Sequence, residues 1–252
     1  FISKKHLFFA KIQKKLLMLI SIIIPVYNEE TYIKELLTRV NNVKEIKKEI
    51  IVINDKSTDN TREILENECK PLYSKLVNNE KNMGKGFACR EGIKVSTGNI
   101  IIIQDADLEY NPENYIKLIE PIKNGTSKVV YGSRVLPGAE RTRPKTLDFK
   151  IRYLANLFLT FLSNILNKQS LTDCHTCYKV FSADILKNID LYENGFTFCP
   201  EITAKISRLG IKIIEVPIDY YGRTHDQGKK IVFFDGIKAI YSILKYNLFK
   251  KT

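Results

Sequence analysis

The chain has 252 residues, of which 44% are hydrophobic and 27% charged, a balance typical of a folded globular protein. This length suits one large α/β domain or two small ones. The formal net charge is +12, but the excess lysines are concentrated at the two ends of the chain. Such a distribution favours an anionic membrane surface as a partner and argues against nucleic acid, which would require a basic stripe on the folded body.

No apolar run approaches the length of about 18 residues that would mark a membrane-spanning helix. The five cysteines are an odd number, and no cleavable signal with a small-residue cleavage site opens the chain. We therefore expect a reduced, cytoplasmic protein that lies peripherally on the inner face of the membrane. Met18 directly precedes the first strand-like run, so residues 1–17 are interpreted as a basic N-terminal extension, and the sequence leaves open whether they are native.

The first half of the chain alternates apolar runs with helical patterns, which predicts βαβ units and a mostly parallel sheet. The predicted strands, rich in β-branched residues, lie at 19–26, 49–55, 99–107 and 127–134. Helical patterns extend from Glu29 to Val40 and from Ser57 to Asn67.

A long helix is predicted from about Phe149 to Asn167, and its polar residues form one narrow stripe. The stripe consists of Arg152, Asn156, Thr160, Ser163 and Asn167. Two interpretations remain open, burial in a core or dimer interface and partial insertion into a membrane interface. These patterns divide the chain into the N-terminal extension, one main domain over 18–234 and a basic amphipathic helix over 235–252.

The most informative segment for chemistry is QDADLEY at 104–110, which emerges from a predicted strand. Two carboxylates at i and i+2, here Asp105 and Asp107, can both reach one divalent cation beside a diphosphate. Acidic turns are common, so the pair is weak evidence by itself. The segments PVYNEE at 25–30 and NDKSTDNT at 54–61 follow neighbouring strands at the same edge, where α/β sheets bind ligands.

Five segments in this order and spacing resemble the family 2 glycosyltransferases: SIIIPVYNEE, INDKSTDNT, NMGKGFACREG, DADLEYNPE and YGSR. The likeness covers about residues 19–250 and points to the dolichol- or polyprenyl-phosphate mannosyltransferase branch. It implies a single GT-A α/β domain with a mixed, mostly parallel sheet flanked by helices. It also implies inverting transfer of a hexose from a GDP- or UDP-linked donor, with Mg²⁺ or Mn²⁺ as the cofactor.

The resemblance also implies roles for individual residues. The expected nucleoside contacts are Pro25, Tyr27, Glu29 and Asp55. The expected diphosphate and metal contacts are Asp105, Ala106 and Asp107, with Glu109 as a further metal ligand. The expected cations around the phosphates are Arg134, Arg223 and Lys229, and Lys85 is a further candidate for binding the donor. The candidate catalytic residues are Asp107, Arg134 and Asp173, the last of which matches the general-base position of inverting relatives.

Three alternatives concern the acceptor and the activity. An ionised polyprenyl or dolichyl phosphate needs cations and no base, whereas a saccharide hydroxyl, as in cell-wall or surface polysaccharide synthesis, would make Asp173 indispensable. The third alternative is a non-catalytic module that binds sugar nucleotides. Two residues depart from the family pattern: Lys56 occupies the position of a turn glycine, and His175 stands where a small or acidic residue is expected.

Overall fold

The computed structural model describes residues 18–142, 147–223 and 233–249. Its strands are β1 (Ile20–Val26), β2 (Lys48–Asn54), β3 (Lys75–Asn78), β4 (Ile100–Ile103), β5 (Val129–Ser133), β6 (Arg141–Thr142), β7 (Lys179–Ser182), β8 (Ile214–Pro217) and β9 (Tyr220–Tyr221). Seven of them form one sheet in the order β3-β2-β1-β4-β7-β5-β8, and β6 pairs with β9 in a small second sheet. Strand β7 runs antiparallel to both β4 and β5, so the sheet is mixed but mostly parallel, as predicted.

Helices flank this sheet. They are α1 (Ile33–Asn42), α2 (Thr61–Asn67), α3 (Lys85–Val95), α4 (Tyr115–Lys123), α5 (Leu147–Asn167), α6 (Ala183–Leu186), α7 (Phe198–Arg208) and α8 (Phe233–Leu244). A π-helical turn, Lys245–Phe249, continues α8. The helix predicted from Phe149 therefore begins two residues earlier, and the C-terminal helix begins at Phe233.

The core lies around β1, whose isoleucines at 22, 23 and 24 are completely buried. This strand pairs in parallel with β2 on one side and β4 on the other. Because helices cover both faces of such a strand, its sequence is apolar on both sides rather than alternating, and Ser21 is the one polar residue in it. The predicted strand 99–107 ends at Ile103, so that Asp105 and Asp107 lie in the loop beyond the sheet.

Helix α5 turns its polar stripe toward the protein. Thr160, Ser163 and Asn167 are buried, whereas the apolar stripe on the opposite side is exposed to solvent. The exposed residues of that stripe are Ile151, Leu154, Phe158, Phe161 and Ile165, each more than half accessible. This orientation reverses the usual arrangement of a surface helix, which buries its apolar stripe.

Helix α8 packs beside α5 and extends the same kind of surface. Leu159 of α5 lies in a small buried cluster with Ala239 and Ile243 of α8. The exposed apolar residues of α8 and the turn after it are Phe234, Ile237, Tyr241, Leu248 and Phe249. We call these residues, together with the exposed stripe of α5, the apolar face. Across the described parts of the chain, each helix is either too short or too polar to cross a membrane.

Candidate active site

The site lies at the carboxyl ends of β2, β1 and β4, which are neighbours in the sheet. Because these three strands are parallel, their ends share one edge. Asp55 follows β2, Glu29 follows β1, and the segment from Asp105 to Glu109 follows β4. The structure therefore brings together carboxylates that are far apart in sequence, as the strand pattern predicted.

Asp55 organises the segment that leads into α3. It is buried, and its carboxylate accepts hydrogen bonds from the backbone N–H of Gly84 at 2.6 Å and of Met83 at 3.1 Å. The side-chain amide of Asn79 donates to it at 2.8 Å. A carboxylate with this many donors is held in one orientation. Asp55 thus connects the end of β2 to the turn that carries Gly84, which we call the donor turn (residues 79–85).

The segment between β2 and α2 is bonded to the segment after β1. The Asn28 side chain exchanges hydrogen bonds with the backbone N–H and hydroxyl of Thr58. Lys56 has a φ of 60°, in the left-handed region where glycine is at no disadvantage. The sequence departure at this position therefore leaves the turn conformation intact at the expense of some backbone strain. Pro25 and Tyr27, the other expected nucleoside contacts, are half-buried at the same edge.

Asp105 is paired with Lys85, the first residue of α3. The ammonium lies 2.5 Å from the carboxylate, and the Cys177 thiol lies 3.6 Å from the same ammonium. Burial is the largest influence and raises the pKa of Asp105, but the charge of Lys85, the hydrogen bonds from Cys177 and Lys85 and the charge of Arg134 together lower the pKa below its ordinary value. Asp105 is therefore ionised in this structure, and Lys85 is its counter-ion.

Ala106 and Asp107 continue this turn, and Ala106 is buried. Leu108 adopts a φ of 60°, which is unusual for a residue with a side chain. The backbone N–H of Glu109 donates to Asp107 at 3.2 Å. Burial, followed by the negative charges of Glu109 and Asp105, raises the pKa of Asp107 to about 7. The three carboxylates of Asp105, Asp107 and Glu109 thus lie within a segment of five residues.

Arg223 binds two of the acidic groups at once. Its guanidinium lies 3.0 Å from Asp107 and 3.1 Å from Glu29, and its backbone N–H donates to Glu109 at 2.6 Å. The Tyr220 hydroxyl donates to the other oxygen of Glu109 at 2.8 Å. A long-range cluster therefore joins the carboxyl ends of β1 and β4 to the segment after β9. Lys229, the remaining expected phosphate contact, lies outside the described residues.

Arg134 and Asp173 form a second, deeper charge pair. The guanidinium meets the two carboxylate oxygens at 2.6 and 2.8 Å, and the backbone N–H of Arg134 donates to the same group at 3.1 Å. The Asn156 amide of α5 adds a fourth bond at 3.1 Å. Burial raises the pKa of Asp173, but the pairing with Arg134 brings it below its ordinary value. Asp173 is fully buried, so a role as a base would require this pair to open.

The carboxylates after β4 have the right chemistry for a hard divalent cation, which prefers oxygen ligands. Their mutual repulsion is the kind of charge crowding that such a cation relieves. In the described conformation, however, Lys85 and Arg223 already hold Asp105 and Asp107. Within 18–142, 147–223 and 233–249, no group of three or more acidic, histidine or cysteine side chains is arranged so that it could hold a metal ion. A cation at Asp107 would therefore compete with Arg223 for this carboxylate.

Two contacts at this site were not predicted from the sequence. The ring of Tyr220 lies 4.9 Å from the Arg134 guanidinium while its hydroxyl bonds to Glu109, so it touches both charge clusters. The thiol of Cys177 lies beside the ammonium of Lys85. No local sequence signal marks either residue, because each acts through partners that are distant in the chain.

The mixed, mostly parallel sheet flanked by helices is the GT-A fold. The crystal structure of glucosyl-3-phosphoglycerate synthase from Mycobacterium tuberculosis, in complex with Mn²⁺, uridine diphosphate and glucosyl-3-phosphoglycerate, matches with a TM-score of 0.71. The two chains are 17% identical, and the match covers 95% of this chain and 84% of that one. The predicted fold class is confirmed.

The chain belongs to glycosyl transferase family 2, which matches residues 21–190. A dolichol-phosphate mannosyltransferase of Pyrococcus furiosus is 29% identical over 235 residues, which are 91% of this chain and 64% of that protein. A UDP-N-acetylglucosamine–dolichyl-phosphate N-acetylglucosaminyltransferase of Methanococcus voltae is 31% identical, over 92% of this chain and 97% of that protein. The predicted likeness to the dolichol- and polyprenyl-phosphate branch is therefore confirmed, and the chain spans less than two thirds of the Pyrococcus relative.

Proposed function

We propose that this protein transfers a hexose, with inversion, from a GDP- or UDP-linked donor to a polyprenyl or dolichyl phosphate at the cytoplasmic face of the membrane. Residues 18–234 would form the catalytic domain, and the basic helix over 235–252 would join it to the membrane. Support comes from the family and from relatives named for dolichyl-phosphate acceptors. The five free thiols agree with a cytoplasmic location.

The pairing of Arg134 with Asp173 is the observation that favours a phosphate over a hydroxyl as the acceptor. The carboxylate at the expected base position is fully buried and already accepts four hydrogen bonds, so it is poorly suited to take a proton from a hydroxyl. The guanidinium beside it is held rigidly and is suited to bind a phosphate. A lipid phosphate is already ionised near neutral pH, so its oxygen can attack the sugar without a base.

In the reaction, an acceptor phosphate oxygen forms a bond to C1 of the hexose while the bond from C1 to the nucleoside diphosphate breaks on the opposite face. Arg134 would orient the attacking phosphate. Arg223, Lys85 and Lys229 would bind the leaving diphosphate, while Pro25, Tyr27, Glu29 and Asp55 would hold the nucleoside. Bound Mg²⁺ or Mn²⁺, held by Asp105, Asp107 and Glu109, would supply positive charge to the leaving group.

The apolar face supports a membrane location for this reaction. Ten large apolar side chains, half accessible or more, lie on two helices that pack against each other. Exposed apolar surfaces of this extent mark interaction sites. Lys238 on α8 and the lysines of the chain ends would add attraction to anionic lipids. The protein would thus bind a lipid acceptor at the membrane surface in which the lipid chain is embedded.

The acceptor is tested with radiolabelled GDP- and UDP-hexoses, Mg²⁺ or Mn²⁺, and either a polyprenyl phosphate or the matching polyprenol. We expect label to enter the organic phase only with the phosphate. Arg134→Gln should reduce this transfer roughly 100-fold, because a positioned cation at the attacking phosphate is lost. Arg62→Gln, which breaks an exposed ion pair on α2, is the matched control. Transfer to a hydroxyl acceptor would favour polysaccharide synthesis, and donor binding without any transfer would favour a non-catalytic module.

The membrane contact is tested by co-sedimentation with vesicles of phosphatidylcholine and phosphatidylserine. The double variant Phe158→Ser, Phe161→Ser should bind at least about tenfold more weakly, because two exposed aromatic side chains can no longer enter the interface. Ile116→Ser, an exposed apolar residue on α4, should bind normally. Binding of the unmodified protein should also weaken with salt, since surface attraction is screened over about 10 Å at 0.1 M. Equal binding by all three proteins would contradict a role for the apolar face.

A further inference from the structure

The donor turn is packed against a second loop that follows Asp190. Gly84 has a φ of 96°, and a Cβ atom on it would lie 2.7 Å from the carbonyl oxygen of Asn194. A Cβ atom on Gly86 would collide with the carbonyl oxygen of Glu193. The two glycines therefore allow backbone-to-backbone contact, and neither segment can shift toward the other without a clash.

Hydrogen bonds join the same two segments. The backbone N–H of Phe87, in the first turn of α3, donates to the Asn194 carbonyl oxygen at 3.0 Å. The Arg90 guanidinium donates to the Glu193 carbonyl oxygen and, at 2.6 Å, to the Asn194 side chain. Residues 193 and 194 thus support the start of α3, from which Lys85 reaches Asp105.

The Glu193 side chain contacts the π-helical turn that continues α8. One carboxylate oxygen accepts hydrogen bonds from Lys245 at 2.7 Å and from the Tyr246 hydroxyl at 2.8 Å. The other oxygen accepts from the Thr197 hydroxyl at 2.7 Å. Tyr246 is completely buried, and these bonds hold the pKa of Glu193 below its ordinary value despite burial. The turn that ends α8 is therefore fixed to Glu193 by a charged, well-bonded contact.

The backbone of Glu193 is itself held in place. Its N–H donates to the carboxylate of Glu201 at 2.8 Å, and the N–H of Tyr192 donates to the other oxygen at the same distance. Glu201 is fully buried and pairs with Lys205 at 3.0 Å on α7. Glu193 consequently joins three structures, which are α7, the end of α8 and the donor turn.

We propose that Glu193 is a positioning residue for the donor: its carboxylate ties Lys245 and Tyr246 to the turn that presents Gly84 and Lys85 to the nucleotide. The proposal rests on the proposed function, because it takes this turn to be part of the donor site. It makes the C-terminal helix, which carries part of the apolar face, a structural component of donor binding. Loss of the contact leaves the acceptor side, with Arg134 and Asp173, unchanged.

The test uses the full chain with Glu193→Gln, Lys245→Met and Tyr246→Phe, and Lys94→Met as the control. Lys94 forms an exposed ion pair of 2.6 Å on α3 itself, so its loss removes a comparable contact that does not reach the donor turn. Binding of GDP and UDP is measured by calorimetry, and hydrogen exchange is followed at residues 79–90. We expect donor affinity to fall about tenfold in Glu193→Gln and about threefold to fivefold in the two milder variants, with faster exchange at the donor turn.

Steady-state kinetics separate positioning from general loss of structure. In the variants, KM for the donor should rise while kcat stays within about twofold of the unmodified protein. Unchanged donor affinity and unchanged exchange at 79–90 in folded Tyr246→Phe and Lys245→Met would overturn the proposal. If the unmodified protein binds neither nucleotide, the proposed function fails, and the exchange comparison still decides whether Glu193 orders the turn.

Discussion

Replacing Arg223 with glutamine removes the cation that now holds Asp107 and Glu29 together. The guanidinium is only 11% exposed and lies 3.0 and 3.1 Å from the two carboxylates. A divalent ion that binds Asp107 competes with this guanidinium for the carboxylate. We therefore expect Arg223→Gln to increase the affinity for Mn²⁺ when no nucleotide is present. The same substitution should weaken the binding of GDP or UDP, because the diphosphate then loses a cationic partner.

The size of the first effect follows from the geometry. Unit charges 3.0 Å apart attract by about 5.5 kcal/mol at an effective dielectric constant of about 20. The cost of removing both charges from water offsets most of this attraction. We expect a net contribution of about 1 to 2 kcal/mol, which corresponds to a roughly 5- to 30-fold gain in metal affinity.

Free Mn²⁺ is counted by electron paramagnetic resonance during titration of each protein, with and without nucleotide. Arg39→Gln serves as the control, because Arg39 pairs with Glu35 on the exposed side of α1, away from the site. The expected signature is tighter Mn²⁺ binding by Arg223→Gln than by the unmodified protein when no nucleotide is present. Equal Mn²⁺ affinity of Arg223→Gln and the unmodified protein in the absence of nucleotide would show that Arg223 does not compete with the metal.

Two further predictions concern stability. Lys56→Gly should raise the free energy of unfolding, measured in urea, by about 1 kcal/mol, because glycine adopts a φ of 60° without strain. Lys81→Gly is the control, because Lys81 lies outside the left-handed region, and it should not raise the free energy of unfolding. Asp173→Asn should lower the free energy of unfolding by about 3 kcal/mol, because Arg134 stays buried without its partner. Because the pKa of Asp173 is depressed in the folded protein, the loss of unfolding free energy should be complete above about pH 4 and should shrink below it. A loss that is the same at every pH would contradict an ionised Asp173 paired with Arg134.

Much of the sheet and the location of the site could be predicted from local pattern. The continuous isoleucine runs of β1 and β4 predict strands that are buried on both faces, and the structure has both at the centre of the sheet. Because parallel strands end at one edge, Asp55, Asp105 and Asp107 were expected near each other. This prediction needs only the order of strands and turns along the chain, which local periodicity reveals.

The partners of the charged residues could not be predicted in this way. Arg223 binds Glu29 across 194 residues, and Arg134 binds Asp173 across 39, so no spacing rule connects them. The resemblance to known glycosyltransferases suggested ligand contacts for these residues but not their pairing with each other. The same holds for Glu193, whose contacts with the donor turn and with Tyr246 exist only after the chain has folded.

Helix α5 shows most directly what sequence alone determined and what tertiary structure decided. Its residue spacing determined one narrow polar stripe and a wide apolar remainder, and both are present. The spacing did not determine which side would face the protein. Asn156 reaches Asp173, and Thr160 bonds to the backbone N–H of Cys174, so the polar stripe is the one that finds buried partners. Helical periodicity places residues on a common side, whereas burial depends on partners supplied by distant parts of the chain.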